Sequence, residues 1–462
     1  MNDFQISGGE RSQQNALEAL KAALDTLVNS QNPSGLSRTE RHQHIAARQA
    51  IIRVVTIFAD LMDAPSDNPR LGEAYVLLSS GWEAVLRWTD SLRVCYRSNA
   101  AEVHWHLMTC SAGLVTILFR KDLEPARQLL RRPSTFHFIT TILCEKDPQT
   151  GHYYAFGPLT RTNDTCFLTN LAFMLFDRKG DRQTCEASVE RLQASRKKKA
   201  ILKALAGRPQ AILAGILPNV ESAVTSLHTL FQLCRFMHAD AELDVSLIHY
   251  EFYSHIAGAL MKVTEKADPQ RDEEFWNLPT ILERVTKAAT ESARSTESLK
   301  QVVKGGLVHA ALKWLVVAPR RSSAREGDAV RKICNGVFRE LCPFLSNAPV
   351  YEALKKDFPL RLLKQAREYS EEARSACMAF YETFIKIARL ELDPKLQDTA
   401  GKSLNMCSNL TVSSECFTIL KRYSSLLSAL HVVRSQSPRT ERLEGLQQMP
   451  QRMLLLRSLS RS

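Results

Sequence analysis

Apolar residues return every three or four positions along almost the whole chain. Leu17, Leu20, Leu24, Leu27 and Val28 mark one face of an amphipathic helix, which stops at the turn cluster Asn32-Pro33-Ser34-Gly35. Ser37 and Glu40 stand at capping-box spacing and open a second helix through Ile45, Ile52, Val55 and Phe58 to about Met62. Pro65 to Pro69 end it. The period recurs over Leu71 to Cys95 and Val103 to Phe119, with Trp82, Trp88 and Trp105 as candidate buried anchors. Leu123 to Cys144 continues it, with a break near Pro133. No stretch alternates apolar and polar residues as a half-buried strand does.

Residues 147 to 166 interrupt the pattern. Asp147-Pro148-Gln149-Thr150-Gly151-His152 through Gly157-Pro158 has the turn chemistry of a loop or short hairpin. Helices resume at Phe167 to Phe176 and at Glu186 to Leu205. Two later stretches look alike: Ala211 to Pro218 leads into Val220 to Met237, and Gly305-Gly306-Leu307-Val308 leads into a packed segment ending near Val316. A Gly followed by two apolar residues at the opening of a packed helix resembles the start of the buried helix in armadillo or HEAT repeats. No fixed period of about 40 residues accompanies it. Arg320 to Gly327 reads as an exposed linker. Val330 to Phe344, Val350 to Leu363 and Tyr369 to Leu392 read as helices, the last with Phe380, Phe384 and Ile387 on one face, and Pro394 closes the regular part.

The expected fold is all-α. An N-terminal helix and turn (1–35) precede a helical region (36–146), a loop or short hairpin (147–166), a second helical region (167–318), a linker (319–329), a third helical region (330–394) and a disordered basic tail (395–462). An irregular armadillo/HEAT-like α-solenoid is the first architecture and a compact multi-helix array the second.

Composition narrows the class. Of 462 residues, 44% are apolar and 24% charged, ordinary values for a globular chain. The longest apolar stretches, Ala112 to Phe119 and Leu312 to Ala318, are too short to cross a bilayer. Met1-Asn2-Asp3-Phe4 lacks the basic and apolar regions of a secretory signal. The eleven cysteines never stand at Cys-x-x-Cys spacing and read as small buried hydrophobes in a reducing compartment. The expected location is intracellular, in cytoplasm or nucleus. The net charge of +12 favours acidic partners. Residues 431 to 462 alone hold six Arg against Glu441 and Glu444.

Candidate chemistry is sparse. His104 and His106 with Cys110, and His42 with His44, offer metal-ligand types. Residues two apart on a helix point roughly 200° apart, so neither histidine pair chelates from one face. Gly401-Lys402-Ser403 resembles the end of a phosphate loop, but the Gly required five residues earlier is Leu396. Arg196-Lys197-Lys198-Lys199 with Lys203 and Arg208 is the densest basic run, a nucleic-acid or import signal on one reading and a solvated helix face, backed by Leu192, Ile201, Leu202 and Leu205, on the other. Arg320-Arg321-Ser322 has the form of a kinase acceptor. No hydrolase, zinc-protease or dinucleotide motif occurs. No catalytic, cofactor-binding or metal-ligating residue is therefore assigned.

The last segment mixes Arg, Leu and Ser, the residues with six codons, without a helical period. Read one base later, Met449-Pro450 and Met453-Leu454 each force a cysteine codon. With permitted codons the shifted frame places cysteines at the codons of Leu446, Met449, Leu455 and Leu459, as Cys-x2-Cys-x5-Cys-x3-Cys with Tyr-Cys-Ser and a closing Cys-Gln. That spacing resembles the centre of a MYND-type zinc finger, and a long helical region before such a finger resembles large fungal families. The resemblance implies thiolates in two interleaved zinc sites. As written, Leu446, Met449, Leu455 and Leu459 cannot ligate zinc, so zinc is expected only if the tail is a misread finger. The other reading is a plain basic tail. The functional expectation is a non-enzymatic protein–protein interaction scaffold related to MYND proteins but lacking the finger. The alternative is a nucleic-acid-associated protein using residues 196–208 and the Arg-rich tail.

Overall fold

Helix follows helix through the described residues. The computed structural model describes residues 6–30, 38–61, 68–95, 113–115, 117–118, 123–147, 151–154, 166–177, 180–216, 220–237, 240–266, 277–317, 324–356 and 380–385. The chain divides at Pro394/Lys395 into two units, and every described residue belongs to the first. The fold is an all-α helical array. Among the described residues, the one strand-like pairing is a single antiparallel bridge, Lys146 with Tyr153.

Three long helices open the array: α1 (Ile6–Asn29), α2 (Arg38–Leu61) and α3 (Pro69–Cys95). They pack on one another with Leu20, Leu24, Leu27, Val54, Phe58, Trp82 and Trp88 buried, whereas Val28, Ile45 and Ile52, expected on the apolar faces of α1 and α2, are exposed. Each of these Trp rings must satisfy an N–H out of water. Trp88 Nε1 donates to the Leu27 carbonyl at 2.9 Å, and Trp82 Nε1 donates to Thr135 Oγ1 at 2.7 Å. Trp105 lies outside the described residues.

A three-helix unit then recurs. Each begins with a short helix, turns tightly into a second, buried helix, and continues into a third. The units are α4 (Glu124–Leu130), α5 (Pro133–Leu143) and α6 (Phe167–Phe176); α7 (Arg182–Ala194), α8 (Lys198–Ile216) and α9 (Val220–Met237); α10 (Ala241–His249), α11 (Phe252–Lys266) and α12 (Leu278–Glu291); and α13 (Ser295–Lys304), α14 (Leu307–Val317) and α15 (Ala324–Leu341). A 3-10 turn (Cys342–Ser346) leads to α16 (Ala348–Lys356), which starts a fifth. Phe380 and Phe384 pack against Phe338 and Tyr351 there. The short helices start 53 to 59 residues apart. Like stacks on like: α5, α8, α11 and α14 pack in succession, as do α6, α9, α12 and α15.

The stacking is set by backbone geometry more than by residue identity. At the tight turn, Arg131, Tyr250 and Gly305 each donate N–H to the carbonyl four residues back (Arg127, Ser246, Gln301). The next residues, Arg132, Glu251 and Gly306, donate to the carbonyl three back and accept from the N–H four ahead. Unlike side chains thus share one hydrogen-bond pattern three times, although Arg132 is extended (φ −66°, ψ 136°) where Glu251 (φ 58°) and Gly306 (φ 88°) are left-handed. Rungs between successive units keep the spacing: Arg131 to Asp181, Gln193 to Asp240, Asp244 to Ser292, Gln301 to the Ile248 carbonyl and Asn347 to Thr296 join residues 47 to 53 apart.

Several expectations need correction. Glu186 to Leu205 is two helices, because Ser195 turns extended (φ −74°, ψ 129°) and its hydroxyl accepts from the Lys197 N–H at 3.1 Å. A serine that caps the backbone in this way competes with the helix. The alikeness of Ala211–Pro218 and Gly305–Val308 is not structural, since the first closes α8 while the second joins α13 to α14. The counterparts of Gly305-Gly306 are Arg131-Arg132 and Tyr250-Glu251. The linker assigned to 319–329 is helical from Ala324. Packing of Val330, Cys334, Val337 and Leu341 anchors that helix, and its first turn follows by helical cooperativity.

Candidate functional site

The chain has no Asp or Glu between Glu190 and Glu221, yet carries seven Lys or Arg there. Because Ser195 ends α7, Arg196 to Lys199 crowd the start of α8, where the helix dipole disfavours cations by about 0.3–1 kcal/mol each. Lys198 meets Glu242 at 2.5 Å. Arg196, Lys197, Lys199 and Lys203 are exposed, while Leu192, Ile201, Leu202 and Leu205 are buried as the apolar side.

Arg208 departs from the basic run altogether. It is fully buried, and among the described residues its hydrogen bonds go to neutral acceptors: Nη2 donates to the Leu143 carbonyl at 2.7 Å and Nη1 to the Tyr154 carbonyl at 2.9 Å, with Cys166 Sγ 3.9 Å away. Burial drives the Arg208 pKa down, opposed by the fields of Cys166, Cys144 and Tyr153. The two carbonyls are the feet of a hairpin. Between them Asp147 N–H donates to the His152 carbonyl at 2.9 Å, and Lys146 bridges Tyr153.

The hairpin is held from both sides. Glu145 receives Arg93 Nη1 at 2.5 Å from α3. Tyr153 lies against Gly207, where a Cβ would come within 2.8 Å of the ring. Lys146 Nζ stands 4.7 Å from the centroid of this same Tyr153 ring, so the hairpin brings Lys146 alongside α8, where Lys203 precedes Gly207 by four residues. Cys144 lies within the fields of Arg208 and Lys197; burial raises its pKa and the two cations oppose the rise. The result is one cationic surface from two elements: Lys146 and His152 of the hairpin, and Arg196, Lys197, Lys199 and Lys203 of the α7–α8 corner, all exposed.

The row of third helices carries a second polar feature. His228 Nε2 on α9 is 3.1 Å from Gln232 Nε2 and 3.4 Å from Arg284 Nη1 on α12. Both neighbours can only donate, so Nε2 is the accepting nitrogen of a neutral imidazole. Burial, then Arg284, lowers its pKa accordingly.

The remaining sequence candidates come together nowhere among the described residues. His44 is buried, edge-on to Trp88 with Cys95 Sγ 3.7 Å away, whereas His42 is exposed. No group of three or more His, Cys, Asp or Glu forms a metal cage among the described residues. Cys166, Cys185, Cys234 and Cys334 are buried, and burial pushes the Cys234 and Cys334 thiols far up, which leaves them inert. His104, His106, Cys110, Arg320 to Ser322, Gly401 to Ser403 and the whole tail, including Leu446, Met449, Leu455 and Leu459, lie outside the described residues. No helix among the described residues is long and apolar enough to cross a membrane. No protein-family model matches the sequence, and no curated protein matches it.

The sequence reading missed the hairpin's part in this surface and misassigned Arg208. Lys146 and His152 are more than 40 residues from the basic run, and no spacing rule links them. The one local signal is the apolar stretch around Arg208, Ala204 to Ala206 and Ala211 to Leu213, since Pro209 beside it by itself argues against a helix interior.

Proposed function

We propose that the protein is a non-enzymatic, intracellular protein–protein interaction scaffold of armadillo/HEAT-like type. The observation that carries this reading is the stacking of second helix on second and third helix on third. Such an array leaves the outward sides of the later third helices, α9, α12 and α15, available as an extended binding surface, whereas α6 has no exposed residue. Half-buried His228 and Gln232 and exposed Arg284 suit hydrogen bonding to a partner segment laid along it. The MYND relationship is part of the proposal: the helical body would be the surviving half of a finger-bearing arrangement. The coding nucleotides for residues 400–462 test it. A shifted frame that continues into further Cys and His codons supports the relationship, and an early stop in that frame removes it.

The scaffold itself is tested by cross-linking the full-length protein in its host, purifying the partner recovered, and titrating it back. Reversing Arg284 and Lys287 on α12 to Glu weakens that binding by roughly tenfold or more. Unchanged affinity, or turnover of a small molecule by pure protein, overturns the reading. The nucleic-acid alternative has less to rest on, since Lys198 is engaged by Glu242 and Arg208 is buried.

A further inference from the structure

We infer that the surface formed by the α7–α8 corner and the adjoining hairpin binds an acidic peptide segment of a partner protein. This rests on the scaffold reading and adds a second point of engagement to it. Five full cations, Lys146, Arg196, Lys197, Lys199 and Lys203, face solvent there. Neighbouring carboxylates have partners of their own: Glu145 takes Arg93, Glu242 takes Lys198, Asp240 caps α10, where it accepts the Glu242 and Leu243 N–H groups at 3.0 Å, and Asp147 in the hairpin is engaged as well. The excess of positive charge suits an external anion.

The hairpin's seat is built at a cost. A fully buried guanidinium whose partners among the described residues are neutral is expensive to desolvate. Arg208 nonetheless holds both feet of the hairpin and so fixes Lys146 beside α8. Four cations at the start of α8 likewise oppose the dipole rather than stabilise the helix. Both arrangements give up stability to concentrate positive charge in one place.

The chemistry favours carboxylates on a peptide over other polyanions. Residues 196 to 203 span about 10 Å along the helix, the reach of a few peptide residues. No aromatic residue occurs from Arg191 to Ile216, and Tyr153 is half-buried against Lys146, so among the described residues of the corner no aromatic side chain is fully exposed for a base to stack on. Of the large hydrophobic residues exposed among the described residues, Val28, Ile45, Ile52, Val76 and Val94, none belongs to α7, α8 or the hairpin, which does not favour the apolar wedge of a membrane-surface helix.

The test uses the full-length protein and a fluorescein-labelled oligo-glutamate peptide, with labelled oligothymidylate and phosphatidylserine vesicles as competing probes, all read by anisotropy or co-sedimentation at low and moderate salt. The peptide is expected to bind, and Lys199→Glu with Lys203→Glu to weaken it by roughly tenfold or more, while Lys21→Glu on the exposed side of α1 leaves it unchanged. Circular dichroism of the double variant checks that its helices are retained. Peptide binding that the double reversal does not move overturns the inference, as does tighter, equally corner-dependent binding of oligothymidylate or vesicles. The scaffold reading fails separately, by the Arg284 and Lys287 variants on the purified partner.

Discussion

Arg208 and Glu251 show how single residues are set by the turns they serve. Arg208→Ala would leave the Leu143 and Tyr154 carbonyls without their buried donors and is expected to cost about 3 kcal/mol in denaturant midpoint analysis; a neutral result would mean that water replaces the guanidinium freely. Glu251 has a left-handed backbone (φ 58°) where the equivalent turn has Gly306 (φ 88°). A side chain in that region is strained. Glu251→Gly is therefore expected to stabilise by roughly 0.5 kcal/mol, less than the strain alone because glycine adds unfolded-state entropy and the exposed pair with Lys304 is lost. A lowered midpoint would show that the strain is absent. Titration follows the same logic. His228, whose folded pKa is depressed by burial and by Arg284, contributes stability that is full above its unfolded value of about 6.5 and is lost as pH falls through that range toward the folded pKa. Asp181 loses some of its depression to desolvation, but its bonds from Thr184 and Arg131 prevail and its folded pKa is lowered. Its contribution is present above the ordinary carboxylate range and lost as pH falls through the folded value. Denaturant midpoints for the parent and His228→Gln between about pH 7.5 and 5.5 should converge as pH falls. Parallel curves would exclude the imidazole.

At the scale of the element, close approach decides where helices cross. A Cβ on Gly305 would come within 2.6 Å of Ala257 Cβ and 2.7 Å of the Ser254 carbonyl, which are parts of α11 that cannot swing aside. Gly305→Ala should cost about 2–3 kcal/mol. Gly72, with nothing within 4 Å of its Cβ position, gives the matched comparison. Gly72→Ala in α3 should stabilise by about 0.5–1 kcal/mol. Thermal unfolding of both separates packing from propensity, and equal effects would deny the crossing. Most elements were readable from the apolar period, because Leu71 to Cys95 or Val220 to Met237 bury a face wide enough to declare a helix. The Ser195 break was not, since a serine reads alike as helix interior or as cap until its hydroxyl finds the Lys197 N–H.

For the whole described array, contacts run between neighbouring units, so a local lesion should stay local. Variants retaining Trp88 alone or Trp314 alone report the α1–α3 end and the α14 region respectively. Gly305→Ala is expected to lower the fluorescence midpoint more at Trp314 than at Trp88. Equal shifts would show a single cooperative body. The unit repeat escaped the sequence reading for the same reason that makes the array tolerant. Arg131-Arg132, Tyr250-Glu251 and Gly305-Gly306 share one pattern of backbone hydrogen bonds without sharing residue types, and start-to-start distances of 53 to 59 residues blur any fixed period. What the amino-acid order settled unaided was helicity and the buried stripe of each helix, because both depend on residues three and four apart. Which residues share a surface was decided in three dimensions. Lys146 joins Lys203, and Arg208 leaves the basic run for the core, only because the hairpin closes against α8. That closure depends on residues 54 and 65 positions apart, a separation at which no local periodicity carries information.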